Sequence, residues 1–128
     1  MAQIEHWNPT MIVVGTLKIV PLPERRGDVL EILRSVQGPV LAEPGCTACH
    51  IYEEPGPEDA VVLVERWESE AALEAHIRSE AYKRILGAIE LSGAPPVIRF
   101  DHVSDSEGIE RIEHARGTEG ALGDQGES

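Results

Sequence analysis

Aromatic residues are scarce in this chain: one Phe, two Tyr and two Trp, 4% of 128 residues. Against that background Trp67 and Tyr82 stand out. Positive charge is also short, with 11 Lys and Arg against 23 Asp and Glu and a net charge of −12. Phosphate binding needs a cationic surface, so this balance argues against nucleic acid. The same charge disfavours anionic membranes and favours solubility. No apolar run approaches the roughly 20 residues of a membrane span. The opening MAQIEHWNPT lacks the basic and apolar segments of a signal peptide, and cysteine is limited to two residues. A cytoplasmic protein is the expectation. No G-x-G-x-x-G, H-E-x-x-H or G-x-S-x-G pattern occurs, and nothing points to a nucleotide or flavin.

What remains is an ordinary hydrophobic fraction of 41% in a length that suits one domain. Residues 1–10 read as a polar lead-in with a turn at Asn8-Pro9. Ile12–Val20 reads as a strand, with Gly15 permitting a bulge or the close approach of another group. Pro21 and Pro23 end it. Glu24–Ala42 carries a helical stripe of Val29, Leu30, Leu33, Val36, Val40 and Leu41, which Gly38-Pro39 is expected to kink or interrupt. Thr47–Glu54 and the run from Val61 read as a hairpin around Pro55-Gly56-Pro57-Glu58-Asp59. Val97–Val103 is the last strand, after Pro95-Pro96.

Residues 104–128 hold seven acidic residues, two arginines and five glycines. Such a tail buries too little apolar area to offset its ordering entropy and is expected to be largely disordered, with one helix or arm within Glu107–Ala115. The core order is β-α-β-β-α-β, an α+β ferredoxin-like pattern over residues 11–103 with a four-stranded antiparallel sheet.

The stretch VVLVERWESEAALEAHIRSEAY, Val61 to Tyr82, is the most informative. Val61–Val64 is short and β-branched, which favours a strand. Ser69 can cap a helix whose inward face reads Ala72, Leu73, His76 and Ile77. Ser79 can cap the next, with Tyr82, Ile85, Leu86 and Ile89 buried. Trp67 and His76 can then face one pocket. His76 reads either as a pocket base or as a hydrogen-bonded core histidine. Trp67 packs the core or stacks on a flat ligand, and the Tyr82 hydroxyl lies in the core or reaches the pocket. Glu65 shares a strand face with Trp67, where it orients a donor or pairs with an arginine. Arg99 either pairs with a substrate oxygen or is a solvated or paired surface arginine.

Cys46-Thr47-Ala48-Cys49-His50 spells C-x-x-C-H, the haem c attachment sequence. It enters a strand, where Cys46 and Cys49 are expected on opposite faces, and a helix precedes it rather than follows it. A zinc site there lacks a fourth ligand. Structural cysteines are the expectation, with no metal and no cofactor.

Glu65-Arg66-Trp67-Glu68-Ser69 with Ala72, Leu73, His76 and Tyr82, and the corner Leu41-Ala42-Glu43-Pro44-Gly45-Cys46, resemble the antibiotic biosynthesis monooxygenase family of dimeric α/β barrels. The resemblance spans Met11 to Val103 and implies a homodimer in which a second subunit covers the open sheet face. It also implies a cofactor-independent monooxygenase acting on a small electron-rich aromatic, quinol- or anthrone-like, with dioxygen. In that reading His76 is the base, Trp67 stacks, and Tyr82 or Arg99 steadies negative oxygen. The family pattern often has a second histidine before the aromatic aligned with Tyr82, where this chain has Ala81. The haem-ligand histidine of haem-degrading relatives falls near Leu86, so haem degradation is disfavoured. The rivals are an isomerase of a small carbonyl compound and a non-enzymatic ligand-binding module. Closed packing of His76 against Trp67, with no cavity between them, would favour the last.

Overall fold

A computed structural model describes residues 11–118 and 120. The chain forms β1 (Ile12–Ile19), a short 3-10 turn (Pro23–Arg25), α1 (Arg26–Leu41), β2 (Cys46–Glu53), β3 (Val61–Trp67), α2 (Glu70–Ile77), α3 (Glu80–Ile89), β4 (Val97–Val103) and α4 (Ile109–Arg116). The four strands pair antiparallel in the order β2-β3-β1-β4, the α+β ferredoxin-like arrangement expected from the element order. Both serine caps form: Ser69 accepts from the backbone N–H of Ala72, and Ser79 from that of Tyr82.

Period two sorts the strands. Val13, Gly15, Leu17 and Ile19 of β1 are buried and pair with Trp67, Glu65, Leu63 and Val61 of β3, all on the helix-covered face. Val29, Leu33, Val36 and Val40 of α1 recur at four and three residues and are at most 1% exposed, which puts their stripe on this face. Ile85 and Ala88 of α3 complete the core.

Two expectations are corrected and a third is narrowed. Helix α1 is not interrupted at Gly38-Pro39; it continues through Pro39 to Leu41, giving up the bond that a Pro39 N–H would make while the buried Val36 and Val40 hold the last turn in the core. Cys46 and Cys49 do not lie on opposite faces. A bulge between Cys46 and Ala48 adds one residue, so Cys46 pairs with Trp67 and Cys49 with Glu65, both on the helix side. His50 pairs with Val64 on the other face, which breaks up the apparent C-x-x-C-H cluster. Finally, of the two alternatives for Gly15 the bulge does not form, since the pairing of β1 runs unbroken through that residue on both sides, which leaves the close approach of another group.

Within the acidic tail, α4 forms and ends at Gly117, whose φ of 71° is the left-handed conformation common just past a helix. The lead-in of residues 1–10 and the tail expectations for residues 119 and 121–128 lie outside the described residues. Among the described residues no helix is long and apolar enough to cross a membrane.

Candidate functional site

The site is built on the end of β3 and the start of the helical pair. Glu65 and Trp67 are two residues apart on one strand, so both point toward the helices. Helix α2 turns Leu73 and His76 inward, and α3 brings Tyr82 beside them. His76 stacks on Trp67 at 4.4 Å between ring centroids and meets Tyr82 edge-on at 5.2 Å. Trp67 and His76 are 0% and 1% exposed, so the two rings form a closed stack.

A charged imidazole in such a place needs partners. His76 Nδ1 lies 2.8 Å from Glu43 Oε1, and Nε2 lies 3.1 Å from Glu65 Oε1. The second contact is off the line that a hydrogen bond requires, so it is an ion-pair contact, and Nε2 has no hydrogen-bond partner among the described residues. Burial, the largest single influence, pushes His76 toward neutrality, but Glu65 and Glu43 together outweigh it and raise its pKa above the ordinary 6.5. The Trp67 indole N–H donates to Glu65 Oε1 at 3.2 Å. Glu65 Oε1 is thus shared by two neighbours, while its buried Oε2 has no hydrogen-bond partner among the described residues.

Glu65 also forms part of the wall of a cleft. Gly15 and Leu17 of β1, Leu63 of β3, Tyr82 and Ile85 of α3, and Phe100 of β4 line it with Glu65. It holds about 310 Å³ counted out to its open mouth, with enclosed room for little more than one water. Burial and then the nearby Glu65 carboxylate raise the Tyr82 pKa, so its hydroxyl stays protonated and able to donate.

The expected site residues are therefore partly assembled. Glu65 and Tyr82 reach the cleft, whereas His76 and Trp67 sit behind Glu65 in the core and do not line it. The Trp67 face expected to stack on a ligand is occupied by His76. Glu65 pairs with His76 and Trp67, not with an arginine. Arg99 does not join the site; it pairs with Thr16 and so lies on the sheet face away from the helices, bound to Asp101 at 2.9 Å.

Sequence reasoning missed Glu43. It belongs to the corner Glu43-Pro44-Gly45, where Gly45 has φ of 87° and a Cβ would lie 2.4 Å from that of Ala72. The corner packs directly on α2 and so delivers Glu43 to His76. The Glu-Pro-Gly turn was readable, but not that it folds back onto α2.

The thiols are not poised for chemistry. Burial, then Glu65 and other neighbours, push Cys49 up to about 12, and burial raises Cys46 as well. Among the described residues no group of three or more His, Cys, Asp or Glu is placed to hold a metal ion.

The same architecture recurs in solved structures. Rv0793 from Mycobacterium tuberculosis is 26% identical, with a TM-score of 0.68 over 76% of this chain and 99% of that one. A conserved protein from Methanosarcina mazei Go1 is 23% identical, with a TM-score of 0.66 over 73% and 94%. PA3566 from Pseudomonas aeruginosa is 20% identical, with a TM-score of 0.65 over 77% and 99%. The last two likenesses bear on fold alone. The uncharacterized protein sll1783 of Synechocystis is 20% identical over 98 residues, 76% of this chain, and the matched span is 65% of that relative's length. The Glu43 corner, β3, α2 and all of α3 except Ile89 fall within residues 10–88, which match the antibiotic biosynthesis monooxygenase family, and the chain belongs to that family.

Proposed function

We propose that the cleft binds a small, flat, hydroxylated aromatic and that the protein oxidises it with dioxygen without a cofactor. The carrying observation is Glu65, which forms part of a mostly apolar cleft wall and keeps one buried carboxylate oxygen, Oε2, without a hydrogen-bond partner among the described residues. An unpaired carboxylate oxygen there is costly unless a ligand supplies a donor. Membership of the family supports monooxygenase-like chemistry. The substrate class is our inference from the shape and polarity of the slot.

In this reading Glu65 takes the role of base that sequence analysis gave to His76. The Glu65 carboxylate removes a proton from an acidic ring methylene of an anthrone-like substrate, or from its enol. The carbanion reduces dioxygen and combines with it as a peroxide, which the same proton then neutralises. Loss of water leaves a carbonyl, with one oxygen atom in the product and the other in water together with both methylene hydrogens. His76 acts from behind as a fixed counter-charge to Glu65, and Tyr82 offers a donor to developing negative oxygen.

Oxygen uptake with a panel of hydroquinones and anthrones tests this, with Glu65→Gln alongside. The expected result is uptake in the wild type that falls at least a hundredfold in the variant. No uptake with any substrate would overturn it, and product formed without oxygen would instead indicate an isomerase. The closed Trp67–His76 stack favours a second reading, a non-enzymatic module that only binds such a ligand. Binding without turnover would select it.

The homodimer belongs to the same proposal. Val14, Val62 and Val64 are only half-buried on the sheet face away from the helices, beside Thr16 and Lys18. A second copy covering that face removes apolar area from water. Light scattering at micromolar concentration should report twice the chain mass; a 14.0 kDa species would refute the dimer. A reducing cytoplasm suits the two free cysteines.

A further inference from the structure

Gly15 occupies a position where glycine is a disadvantage to the fold. It lies in the middle of β1, a strand flanked on both sides, and glycine there forfeits packing and costs chain entropy. The usual reasons for glycine in a strand do not apply. Its φ is not positive, and its pairing with Glu65 on one side and Phe100 on the other runs through without a bulge. Nor would a side chain collide with the backbone. A Cβ at Gly15 would lie 3.4 Å from two ring carbons of Phe100 and 3.9 Å from Glu65 Oε1, ordinary contact distances. An alanine therefore fits the empty protein.

What the missing methyl leaves is space between Phe100 and Glu65 in the lining of the cleft. We infer that Gly15 is a specificity-determining residue, whose missing side chain lets a flat ring slide in edgewise until its hydroxyl reaches the Glu65 carboxylate. The inference rests on the cleft being the ligand site proposed above. Glycine in a strand often marks the close approach of a ligand, and here the neighbouring acceptor supplies the reason for approach. Enclosed room for little more than one water means that one added carbon takes a large share of it.

The test compares wild type, Gly15→Ala and Gly15→Val in thermal melts and in fluorescence titrations with 2-naphthol. Gly15→Ala should melt no lower than wild type, with a rise of roughly 2–5 °C from reduced unfolded-state entropy. Its affinity for 2-naphthol should fall about tenfold, and Gly15→Val should fall further. A lower melting temperature for Gly15→Ala would show that the glycine serves the fold and would overturn the inference. So would wild-type affinity in Gly15→Ala. Failure of the wild-type chain to bind 2-naphthol would count against the cleft as a ligand site, a different result from binding that ignores residue 15.

Discussion

Glu43 reaches from the α1–β2 corner to His76 on α2, placing Oε1 2.8 Å from Nδ1 across 33 residues of sequence. With Glu65 on the other side, the imidazole sits between two carboxylates while its side chain is fully out of water. Below its folded pKa the imidazole is a buried cation between two carboxylates, and there removing any member leaves charge uncompensated in the core.

The first prediction concerns pH. The folded His76 pKa is raised above its unfolded value near 6.5, with burial opposing and the two carboxylates prevailing. The stabilisation is therefore fully present below about pH 6.5 and is lost as pH rises through the folded value. Melting temperature measured from pH 6 upward should fall for the wild type relative to His76→Gln. At pH 6 the variant should be less stable by about 3–5 kcal/mol, because Glu65 loses its counter-charge. A gap that stays constant with pH would show that His76 is neutral in the fold.

Trp67→Phe removes the indole N–H together with part of a fully buried ring. The substitution keeps a ring against His76 but removes the donor to Glu65 Oε1. Loss of a hydrogen bond to a charged group should cost about 1.5–3 kcal/mol in denaturant unfolding. If Trp67 serves only as packing, Trp67→Phe will cost the same in a Glu65→Gln background as in the wild type.

The elements were legible because each carried its own local signal. Val61–Trp67, the two serine caps and the apolar stripe of α1 were set by β-branching, capping and period, which act over a few residues. The site was less legible. That Glu65 and Trp67 share a face followed from period two, but Glu43 depends on a corner folding back onto Ala72, which no local pattern reports. The bulge at Cys46/Ala48 likewise reversed the expected facing of the cysteines, since one inserted residue flips every side chain before it. Trp67 and His76 were placed together, yet their mutual stacking closed the space between them.

The cysteine environment makes a chemical prediction. Cys49 is 1% exposed and its thiol is pushed up to about 12, so almost no thiolate exists at pH 8. Iodoacetamide at pH 8 should leave Cys49 unmodified in the folded protein, with Cys46 labelled only slowly, and mass spectrometry should find both alkylated after unfolding. Rapid native labelling of Cys49 would mean that β2 opens readily at the sheet edge.

The last prediction returns to the corner that carries Glu43. Gly45 has φ of 87°, a left-handed conformation costing a residue with a side chain about 1–2 kcal/mol. A Cβ there would also sit 2.4 Å from the Ala72 Cβ, well inside contact distance, so the corner must lift from α2. Gly45→Ala should therefore lose about 2–4 kcal/mol in urea unfolding, with both costs acting together. Lifting the corner also withdraws Glu43 from His76, and the pH dependence of stability should flatten with it. Ala72→Gly in the same chain relieves the clash but not the backbone strain, and should recover only part of the loss. Full recovery would assign the whole cost to the contact with α2, and no loss in Gly45→Ala would show that the corner is not what holds Glu43 in place.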